Sequence, residues 1–377
     1  MVRTDTLLRA RPQVSIILPY LNNYRVPLLQ ALDAKLADQG IALDVATGTP
    51  EGVDVARGDG ATGYATRELR KLGVPTPKGD VYIRRLDETI RRADVVIVEH
   101  AIKNLDSHAL LFRPRTSAKV AIWGHGRTIT KPQSTLENRV QRAMIARADW
   151  YFGYTPGSVA RANQMGMPVD RCTNVQNTVD TDQLKAVRRQ HPRAGGAQWP
   201  ALYVGGLDES KRLDFLLEAG RRVHAQDPRF RLIVVGNGRD RDKVQAAARE
   251  EWCTYLGNFP LADNFAAVKD ANVILMPGRV GLAAVDSFAI EAPIVTTDWP
   301  WHAPEFEYLT PQNSITTADN VDDYAYRILD LMRSPTTLAD LQQQCAHTAE
   351  QLSIGDMATR FADGVVSVLD SKRRTRL

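Results

Sequence analysis

A glycine-bearing turn followed by a carboxylate lies between residues 276 and 291. The apolar run 273–276 predicts a buried parallel strand, and a helical pattern opens at Gly281 a few residues later. The helix would begin at the carboxyl end of a strand, where open α/β sheets bind ligands and where free N–H groups and the helix dipole suit a phosphate. Asp286, about one turn further, could accept hydrogen bonds from ribose hydroxyls. An ordinary strand-to-helix turn with a solvated Asp286 is the alternative.

Two basic side chains, Lys211 and Arg212, stand at the predicted start of another helix, just after a glycine-containing turn. Cations there oppose the helix dipole, and an anionic ligand would reverse that penalty. If both side chains point into the cleft that Gly281 faces, they would form a diphosphate site that needs no metal. The lack of a clustered Asp-x-Asp at a strand end fits that hypothesis. A solvated Lys211 with its aliphatic part packed against the surface is the alternative.

Two histidines and a glutamate follow predicted strands. His125 lies between two glycines at the carboxyl end of a strand, where it could carry a proton or donate to a sugar hydroxyl. A loop histidine bonded to backbone is its simpler interpretation. His100 has a similar place, but a buried structural role is favoured there. Glu305 could contact a ligand or be a solvated loop residue.

The segment Gly236-Asn-Gly238 is not a full G-x-G-x-x-G, so it indicates a tight strand-to-helix turn more than a dinucleotide site. The sequence contains no Gly-x-Ser-x-Gly, no P-loop and no His-Glu-x-x-His. These absences argue against hydrolases of the nucleophile-elbow type, P-loop NTPases and zincins.

The elements that must position these residues alternate between strand and helix in both halves of the chain. Buried-type strands are predicted at 14–18, 41–46, 94–98 and 119–123 in the first half, with helices at 28–36, 81–92 and 136–148 among others. The second half repeats the alternation from residue 201. The Pro-, Gly- and Arg-rich stretch 188–200 predicts a linker. This pattern predicts two parallel, doubly wound sheets.

Size and composition favour a soluble two-domain enzyme. The chain has 377 residues, 44% of them hydrophobic and 24% charged, and a net charge of +4. That charge is mild for the size, so nucleic acid is not an expected partner. The three cysteines have no metal-ligand spacing and fit a reducing cytosol. No apolar run approaches the roughly 20 residues of a membrane span, and we see no signal peptide. Basic residues near both ends are solvated tails or contacts to an anionic membrane.

Several segments, in order, resemble the retaining GT-B glycosyltransferases of family four, also described as glycosyl transferases group 1. Asn177-Thr-Val-Asp180 resembles the Asn-Gly-Val-Asp segment before that family's interdomain crossing. The other matching segments are Tyr203-Val-Gly-Gly-Leu-Asp-Glu-Ser-Lys211, Val235-Gly-Asn-Gly238, Tyr255-Leu256-Gly257, Gly281-Leu-Ala-Ala-Val-Asp286 and His302-Ala-Pro-Glu-Phe-Glu-Tyr-Leu309. The resemblance spans most of the chain and is weakest before residue 120.

The resemblance implies two Rossmann-like domains facing across a cleft, with the last helix crossing back. The expected units are an acceptor-binding domain at 1–190, a nucleotide-sugar-binding domain at 198–352, and a helix with a basic tail at 353–377. It also implies a role for each matched residue. Lys211 and the N–H groups of Gly281 and Leu282 would hold the diphosphate, Asp286 the ribose, and His125 the transferred sugar. The remaining predicted donor contacts are Arg212, Gly236, Gly238, Leu256 and Glu305, and the predicted acceptor or cleft-loop residues are Asn22, Asn23, Tyr24, Arg25, His100 and Arg127.

The chain departs from the family at three places. The first Glu of the E-x7-E motif falls on Gly278, and the usual Arg before Lys211 falls on Gly206, with Arg212 as the candidate replacement. The N-terminal glycine-rich loop is replaced by 21–25. Loss of the first Glu removes a contact to the donor sugar, so the sugar and the anomeric outcome stay open.

The sequence therefore predicts a glycosyltransferase, free in the cytoplasm or at the membrane surface, that uses a nucleotide-diphosphate sugar and requires neither cofactor nor metal. The expected acceptor is a glycan, a lipid-linked glycan or another hydroxyl compound. Retention is favoured, because the leaving phosphate can take the acceptor proton; inversion would need a base such as His125 or Glu99. The alternatives are a nucleotide-sugar epimerase, a sugar phosphorylase, and a catalytically degenerate partner subunit, which Gly278 and Gly206 favour.

Overall fold

The computed structural model describes residues 11–49, 60–61, 64–74, 81–112, 117–126 and 134–374. Two parallel sheets account for most strands. The N-terminal sheet contains β1 (Gln13–Leu18), β2 (Ala42–Thr47), β3 (Arg67–Glu68), β6 (Val95–Glu99), β7 (Lys119–Gly124), β8 (Trp150–Gly153) and β9 (Cys172–Asn174). The C-terminal sheet contains β10 (Trp199–Val204), β11 (Phe230–Val235), β12 (Cys253–Tyr255), β13 (Val273–Leu275), β14 (Ile294–Thr297) and β15 (Ser314–Thr317). A separate antiparallel hairpin pairs β4 (Lys71–Val74) with β5 (Val81–Arg84).

Helices connect the strands and cover the sheets. In the first half they are α1 (Val26–Asp38), α2 (Glu88–Arg92), α3 (Leu105–Phe112), α4 (Thr135–Arg147), α5 (Pro156–Gln164) and α6 (Thr181–Gln190). In the second half they are α7 (Leu213–Gln226), α8 (Arg241–Ala247), α9 (Ala283–Ala289), α10 (Val321–Met332), α11 (Pro335–Ala349) and α12 (Ile354–Asp370). Short 3₁₀ segments lie at Asn23–Arg25, Val169–Arg171, Glu209–Lys211, Leu261–Ala267 and Pro304–Tyr308.

Both sheets are doubly wound, with a point where the strand order reverses. The orders are β3-β2-β1-β6-β7-β8-β9 and β12-β11-β10-β13-β14-β15. The reversal falls between β1 and β6 in the first sheet and between β10 and β13 in the second. Loops that leave the carboxyl ends of those strands diverge and open a crevice, which is where such folds bind ligands. The predicted pair of parallel, doubly wound sheets is confirmed.

Burial follows the apolar patterns of the sequence. Residues 95–98 of β6 are all buried, as expected for a strand covered by helices on both faces. The predicted stripe of α1, formed by Leu28, Leu29, Leu32 and Leu36, is buried as well.

The last helix, α12, packs on the N-terminal sheet although it follows the C-terminal one. Phe361 stacks on Phe152 with ring centroids 4.5 Å apart and meets Trp123 edge-on at 5.2 Å. Met357 and Val365 join the same core. This is the predicted C-terminal helix crossing back to the first domain.

Two parts of the chain differ from the sequence predictions. The helix expected over 81–92 is wrong: β5 occupies its first third, and only Glu88–Arg92 is helical. Pairing with β4 and a buried ion pair between Arg84 and Asp106, at 2.8 Å, hold 81–84 extended. Helix α6, which the expected boundary at 190 assigns to the first domain, packs on the C-terminal core through Leu184.

Candidate active site

The C-terminal cavity lies at the carboxyl ends of β10 and β13, where the strand order reverses. It has a volume of about 380 Å³. The residues that line it are Val204, Gly205, Gly206, Asp208, Ser210, Lys211, Val235, Gly236, Asn237, Asn258, Phe259 and Arg279. Two cations, Lys211 and Arg279, therefore share one cavity.

Hydrogen bonds between two loops fix these cations relative to each other. The Arg279 N–H donates to the carbonyl oxygen of Ser210 at 2.8 Å, and the Lys211 ammonium donates to the carbonyl oxygen of Arg279 at 2.6 Å. The Arg279 Nε donates to the carbonyl oxygen of Trp301 at 3.0 Å. The loop after β10 and the loop after β13 thus form one unit with both cations on it.

Gly278 makes this contact between loops possible. A Cβ atom at position 278 would lie 2.5 Å from the Ser210 carbonyl oxygen and 2.6 Å from the Lys211 carbonyl carbon. Backbone atoms cannot move aside as a flexible side chain can, so no side chain fits there. The missing first Glu of the family motif is therefore part of how this loop packs. Arg279, the next residue, is the charged group that reaches the cavity, and sequence reasoning missed it because a lone Arg in a turn forms no pattern.

The glycines after β11 serve the same close packing. A Cβ atom would lie 1.9 Å from the Gly205 oxygen at Gly236 and 2.2 Å from the Leu207 oxygen at Gly238. Both glycines have positive φ values of 153° and 158°. Gly236 lines the cavity, whereas Gly238 supports the loop behind it.

Arg212 points away from the cavity that Lys211 lines. It adopts a left-handed backbone conformation with φ of 55°, and its guanidinium forms an ion pair with Asp319. It also lies over the ring of Phe215 at 4.5 Å. The structure does not bring Arg212 and Lys211 to one site, because Asp319, distant in sequence, neutralises Arg212. Leu256 packs on the C-terminal core, and Asn258 and Phe259, which follow it, line the cavity instead.

The start of α9 carries the protein groups that are predicted to bind the phosphate and the ribose. Within the described parts of the chain, the N–H groups of Gly281 and Leu282 have no acceptor. Asp286 lies one turn further and makes no side-chain hydrogen bond or ion pair with a described residue. Burial raises the pKa of Asp286 to about 7. A carboxyl group with no hydrogen-bond partner and a pKa near neutral pH is suited to accept hydrogen bonds from the hydroxyl groups of a ligand.

His302 holds the turn that precedes α9. Its Nδ1 accepts from the Val280 N–H at 3.1 Å, and its Nε2 donates to the Thr297 carbonyl oxygen at 2.9 Å. These two bonds require the neutral ring protonated on Nε2. Burial, followed by smaller effects of the nearby cations, lowers the pKa of His302 to about 4. His302 is thus a fixed support of the Val280–Gly281 turn.

Glu305, Glu307 and Tyr308 join the two domains. The Asn177 amide donates to the Glu305 carboxylate at 2.5 Å, and burial raises the pKa of Glu305. The Glu307 carboxylate accepts from the Gly157 N–H, at the start of α5, at 2.8 Å. The Tyr308 hydroxyl lies 3.2 Å from the carbonyl oxygen of Asn177. The segment 304–308 therefore fastens the C-terminal domain to the N-terminal one.

A second cavity, of about 430 Å³, lies between the domains beside this segment. Its lining includes His125, Ser158, Arg161 and Gln164 from the first domain and His302 and Glu307 from the second. His125 thus faces the cleft as predicted. Its ring lies edge-on to Tyr154 at 4.4 Å, and its Nδ1 is buried with no hydrogen-bond partner among the described residues.

The environment of His125 keeps the ring neutral. Burial, with smaller contributions from Arg25, His100 and Arg279, lowers the pKa of His125 to about 3. Arg279, one of these smaller contributors, belongs to the other domain and lines the C-terminal cavity. A neutral imidazole there can exchange hydrogen bonds with a sugar hydroxyl.

The predicted cleft loop 22–25 divides into exposed and buried residues. Asn23 and Tyr24 are exposed, while Arg25 is buried. The Arg25 guanidinium donates to the Tyr154 hydroxyl at 3.0 Å, lies 3.4 Å from the Glu99 carboxylate, and covers the Trp123 ring at 4.6 Å. Arg25 therefore supports the N-terminal core.

The other residues predicted to line the acceptor side of the cleft are Asn22, His100 and Arg127. Asn22 pairs through its backbone with Gly60, which anchors the loop. His100 is packed against the backbone of Gly124 and lies edge-on to Tyr151, and burial lowers its pKa to about 4, in line with the structural role favoured for it. Arg127 lies outside the described residues. Searched over the described ranges, the structure has no group of three or more His, Cys, Asp or Glu that could hold a metal.

The domain that carries the C-terminal cavity matches a known protein family. Residues 200–334 match the family described as glycosyl transferases group 1. Among curated proteins, no sequence matches this chain.

Solved structures share the whole fold at low identity. The chain is similar to a glycosyltransferase from Rickettsia africae (11% identity, TM-score 0.66), with 96% of this chain and all of that one covered. It is similar to HepE of Anabaena, solved in complex with UDP (14%, TM-score 0.61, covering 94% and 100%). It is also similar to a putative UDP-N-acetylglucosamine 2-epimerase from Listeria monocytogenes (14%, TM-score 0.63, covering 97% and 98%). The predicted resemblance to GT-B glycosyltransferases is confirmed at the level of the fold: residues 200–334 match the glycosyl transferases group 1 family, and the chain shares the two-domain fold of these solved structures.

Proposed function

We propose that this glycosyltransferase binds the diphosphate of a nucleotide-sugar donor in the C-terminal cavity and transfers the sugar to a glycan, lipid-linked or other hydroxyl acceptor. The observation that supports this most is the placement of Lys211 and Arg279 on one wall of the cavity. Cross-loop hydrogen bonds hold both cations before any ligand arrives. Gly281 and Leu282 do not line the cavity, but they follow Arg279 closely in the chain, and their free N–H groups are further candidate donors for a phosphate oxygen.

The proposed catalysis is electrostatic. As the bond between sugar and phosphate breaks, negative charge builds on the leaving diphosphate, and cations already in position stabilise it without reorganisation. Lys211 and Arg279 supply two positive charges, which is the basis for proposing that no metal is required. Asp286 would accept hydrogen bonds from the ribose, and His125 would contact the transferred sugar from the other side of the cleft.

Retention of the anomeric configuration is the stereochemistry we propose. An inverting reaction needs a protein base, and the two candidates are poorly suited to that role. Glu99 is engaged by Arg25, and the lowered pKa of His125 makes its ring a weak base in the free protein. In a retaining reaction the leaving phosphate takes the acceptor proton, so neither residue has to.

We place the reaction in the cytoplasm, at or near a membrane surface. Cys172, Cys253 and Cys345 are all free thiols, which fits a reducing compartment. In the described part of the chain, no helix is both long and apolar enough to cross a bilayer. A lipid-linked acceptor would place the reaction at the surface of a membrane.

A binding screen without metal tests the donor site. UDP, GDP, dTDP, ADP and their sugars are added to protein in EDTA, and the melting temperature and heat of binding are measured. One nucleotide is expected to bind at micromolar affinity and to lose binding in Lys211→Ala. Lys243→Ala is the matched control, because Lys243 forms a surface pair with Asp214 outside the cavity. Failure of every nucleotide to bind the parent protein would contradict the proposal.

A nucleotide-sugar epimerase is the second candidate, favoured by the similarity to the Listeria protein. Incubation of the bound nucleotide sugar without acceptor separates the two functions. A transferase is expected to release free sugar slowly by hydrolysis, whereas an epimerase would yield an isomeric nucleotide sugar. A degenerate partner subunit would do neither, and Gly278 no longer favours that alternative since the loop packing accounts for it.

A further inference from the structure

The β4–β5 hairpin has one face that no other described element covers. In its antiparallel register Leu72 lies opposite Ile83, and these side chains are 54% and 39% exposed. Because side chains alternate between faces, Arg70 and Arg85 flank that pair on the same side. Both arginines are exposed, and the Arg85 N–H donates to the Arg70 carbonyl oxygen at 3.0 Å.

The chain leading into α3 extends this face by one more row. The Tyr82 N–H donates to the Lys103 carbonyl oxygen at 2.9 Å, and Tyr82 pairs in parallel with Asn104. Asn104 is buried on the side of the hairpin that carries Tyr82. Its neighbours in sequence, Lys103 and Leu105, therefore lie on the outer side. Lys103 is exposed and Leu105 is 40% exposed. We call Arg70, Leu72, Ile83, Arg85, Lys103 and Leu105 the basic hairpin face.

The charge on this face is of one sign. Among the described residues, Arg70, Arg85 and Lys103 have no carboxylate within ion-pair distance. The opposite side of the hairpin differs, because Arg84 there is buried and paired with Asp106. Three cations alternate with three exposed apolar side chains. Such a surface is complementary to a partner with negative charges on its outside and an apolar layer directly beneath them.

The basic hairpin face lies next to the acceptor side of the cleft. The hairpin packs against Gly48, just after the carboxyl end of β2, where an added Cβ would lie 3.6 Å from Lys71 and 3.7 Å from Arg84. Lys103 follows the carboxyl end of β6, three residues beyond His100. The face therefore stands at the edge of the N-terminal sheet that carries the cleft.

We propose that the basic hairpin face docks this protein on an anionic lipid bilayer, with Leu72, Ile83 and Leu105 entering the headgroup region and the three cations contacting lipid phosphates. The charged C-terminal tail is a weaker candidate, because the Arg374 guanidinium is turned inward to the carbonyl oxygens of Ile145 and Ala148. Docking at the hairpin would present the cleft to an acceptor carried by the membrane.

Vesicle sedimentation of the full chain tests whether the three cations bind anionic lipid. The parent protein is expected to bind vesicles with about 30 mol% anionic phosphatidylglycerol and to bind pure phosphatidylcholine vesicles much less. The triple variant Arg70→Gln, Arg85→Gln, Lys103→Gln is expected to lose at least about tenfold in partition coefficient, since each cation near the surface contributes. The control, Lys372→Gln with Arg373→Gln, removes tail charge and is expected to stay within about twofold.

The double variant Leu72→Ser, Ile83→Ser tests whether the apolar side chains enter the bilayer. Binding should fall to the same vesicles, whereas Leu136→Ser, on a helix elsewhere in the domain and 66% exposed, should bind as the parent does. Thermal unfolding of each variant shows that the fold is kept. Parent-like binding by folded hairpin variants, loss in the tail variant alone, or no vesicle binding by the parent would each overturn the proposal. No nucleotide is needed, so this outcome is independent of the donor site.

Discussion

The two sheets use a cation at the point of strand reversal in opposite ways. In the N-terminal domain Arg25 is buried, with Glu99, Tyr154 and Trp123 as its partners. In the C-terminal domain Lys211 and Arg279 are bonded to backbone carbonyl oxygens and line an open cavity. Topology brings a cation to both places, and the surrounding partners decide whether it supports the core or awaits a ligand. The comparison separates stability from binding, and mutations can test that separation.

The largest effect is expected from Lys211→Ala. Removing a charged contact to a desolvated diphosphate should cost about 2–4 kcal/mol of transition-state stabilisation, measured as the loss in kcat/KM for transfer or donor hydrolysis. The melting temperature without ligand should stay near that of the parent. Activity within about threefold of the parent, or of the Lys243→Ala control, would refute the diphosphate assignment.

Gly278→Glu sharpens the comparison because it restores the family motif in sequence. Since a Cβ there meets the Ser210 and Lys211 backbone, we expect it to separate the two loops, at a cost of about 2–3 kcal/mol in unfolding free energy. Nucleotide binding, followed by calorimetry, should weaken. Gly281→Ala is the control for stability alone, because the nearest neighbour of its Cβ would be 3.5 Å away. Improved binding in Gly278→Glu would show that the loop tolerates the family residue.

Arg25→Met should behave in the opposite way to Lys211→Ala. It leaves Tyr154 and Glu99 without a charged hydrogen-bond partner, so we expect a loss of about 2 kcal/mol in unfolding free energy, measured with urea. Nucleotide affinity should remain within about twofold of the parent. Arg279→Ala provides the converse, with weaker nucleotide binding and little change in stability. If Arg25→Met loses nucleotide affinity while keeping stability, the comparison fails.

The smallest effect concerns Asp286 and pH. With a pKa raised to about 7, the carboxyl group is mostly protonated at pH 6 and mostly ionised at pH 8, so its ability to accept from ribose should increase nucleotide affinity up to about tenfold across that range. Calorimetry at both pH values measures the change. Asp286→Asn corrects for titration of the nucleotide itself, and an equal pH response in that variant would remove Asp286 from the site.

The same shift predicts a pH effect on stability without ligand. A carboxyl group whose pKa is raised on folding binds protons more tightly in the folded state, so its contribution favours folding at low pH. That contribution is lost as the pH rises from about 4 to about 7. The unfolding free energy of Asp286→Asn should lack this decline.

The buried strands and long amphipathic helices followed from the sequence because their apolar patterns match their burial. The two parallel, doubly wound sheets followed from the alternation of strands and helices, whereas the order of the strands became visible only in the structure. The segment 81–92 did not, because a distant residue, Asp106, and the partner strand hold it extended.

The position of a candidate residue was predictable where the end of a strand sets it, as for Lys211, Gly281 and His125. Prediction failed where a long-range partner decides the direction of a side chain. Asp319 turns Arg212 away, and the Ser210 carbonyl oxygen requires glycine at 278 and so leaves the charge to Arg279. Such pairings become visible only when the loops are placed together.

The bond between Glu307 and the start of α5 has a mechanical consequence. Together with Tyr308 and Glu305, it fastens the domains at one end of the cleft, beside the interdomain cavity. A rotation that opens the cleft must either break these bonds or turn about them as a pivot. Since the pivot lies beside the cavity that His125 lines, a small rotation there translates into a larger displacement at the far, solvent-facing end of the cleft. If these bonds persist when the cleft opens, residues near them keep their mutual distances while the remote loops move further apart.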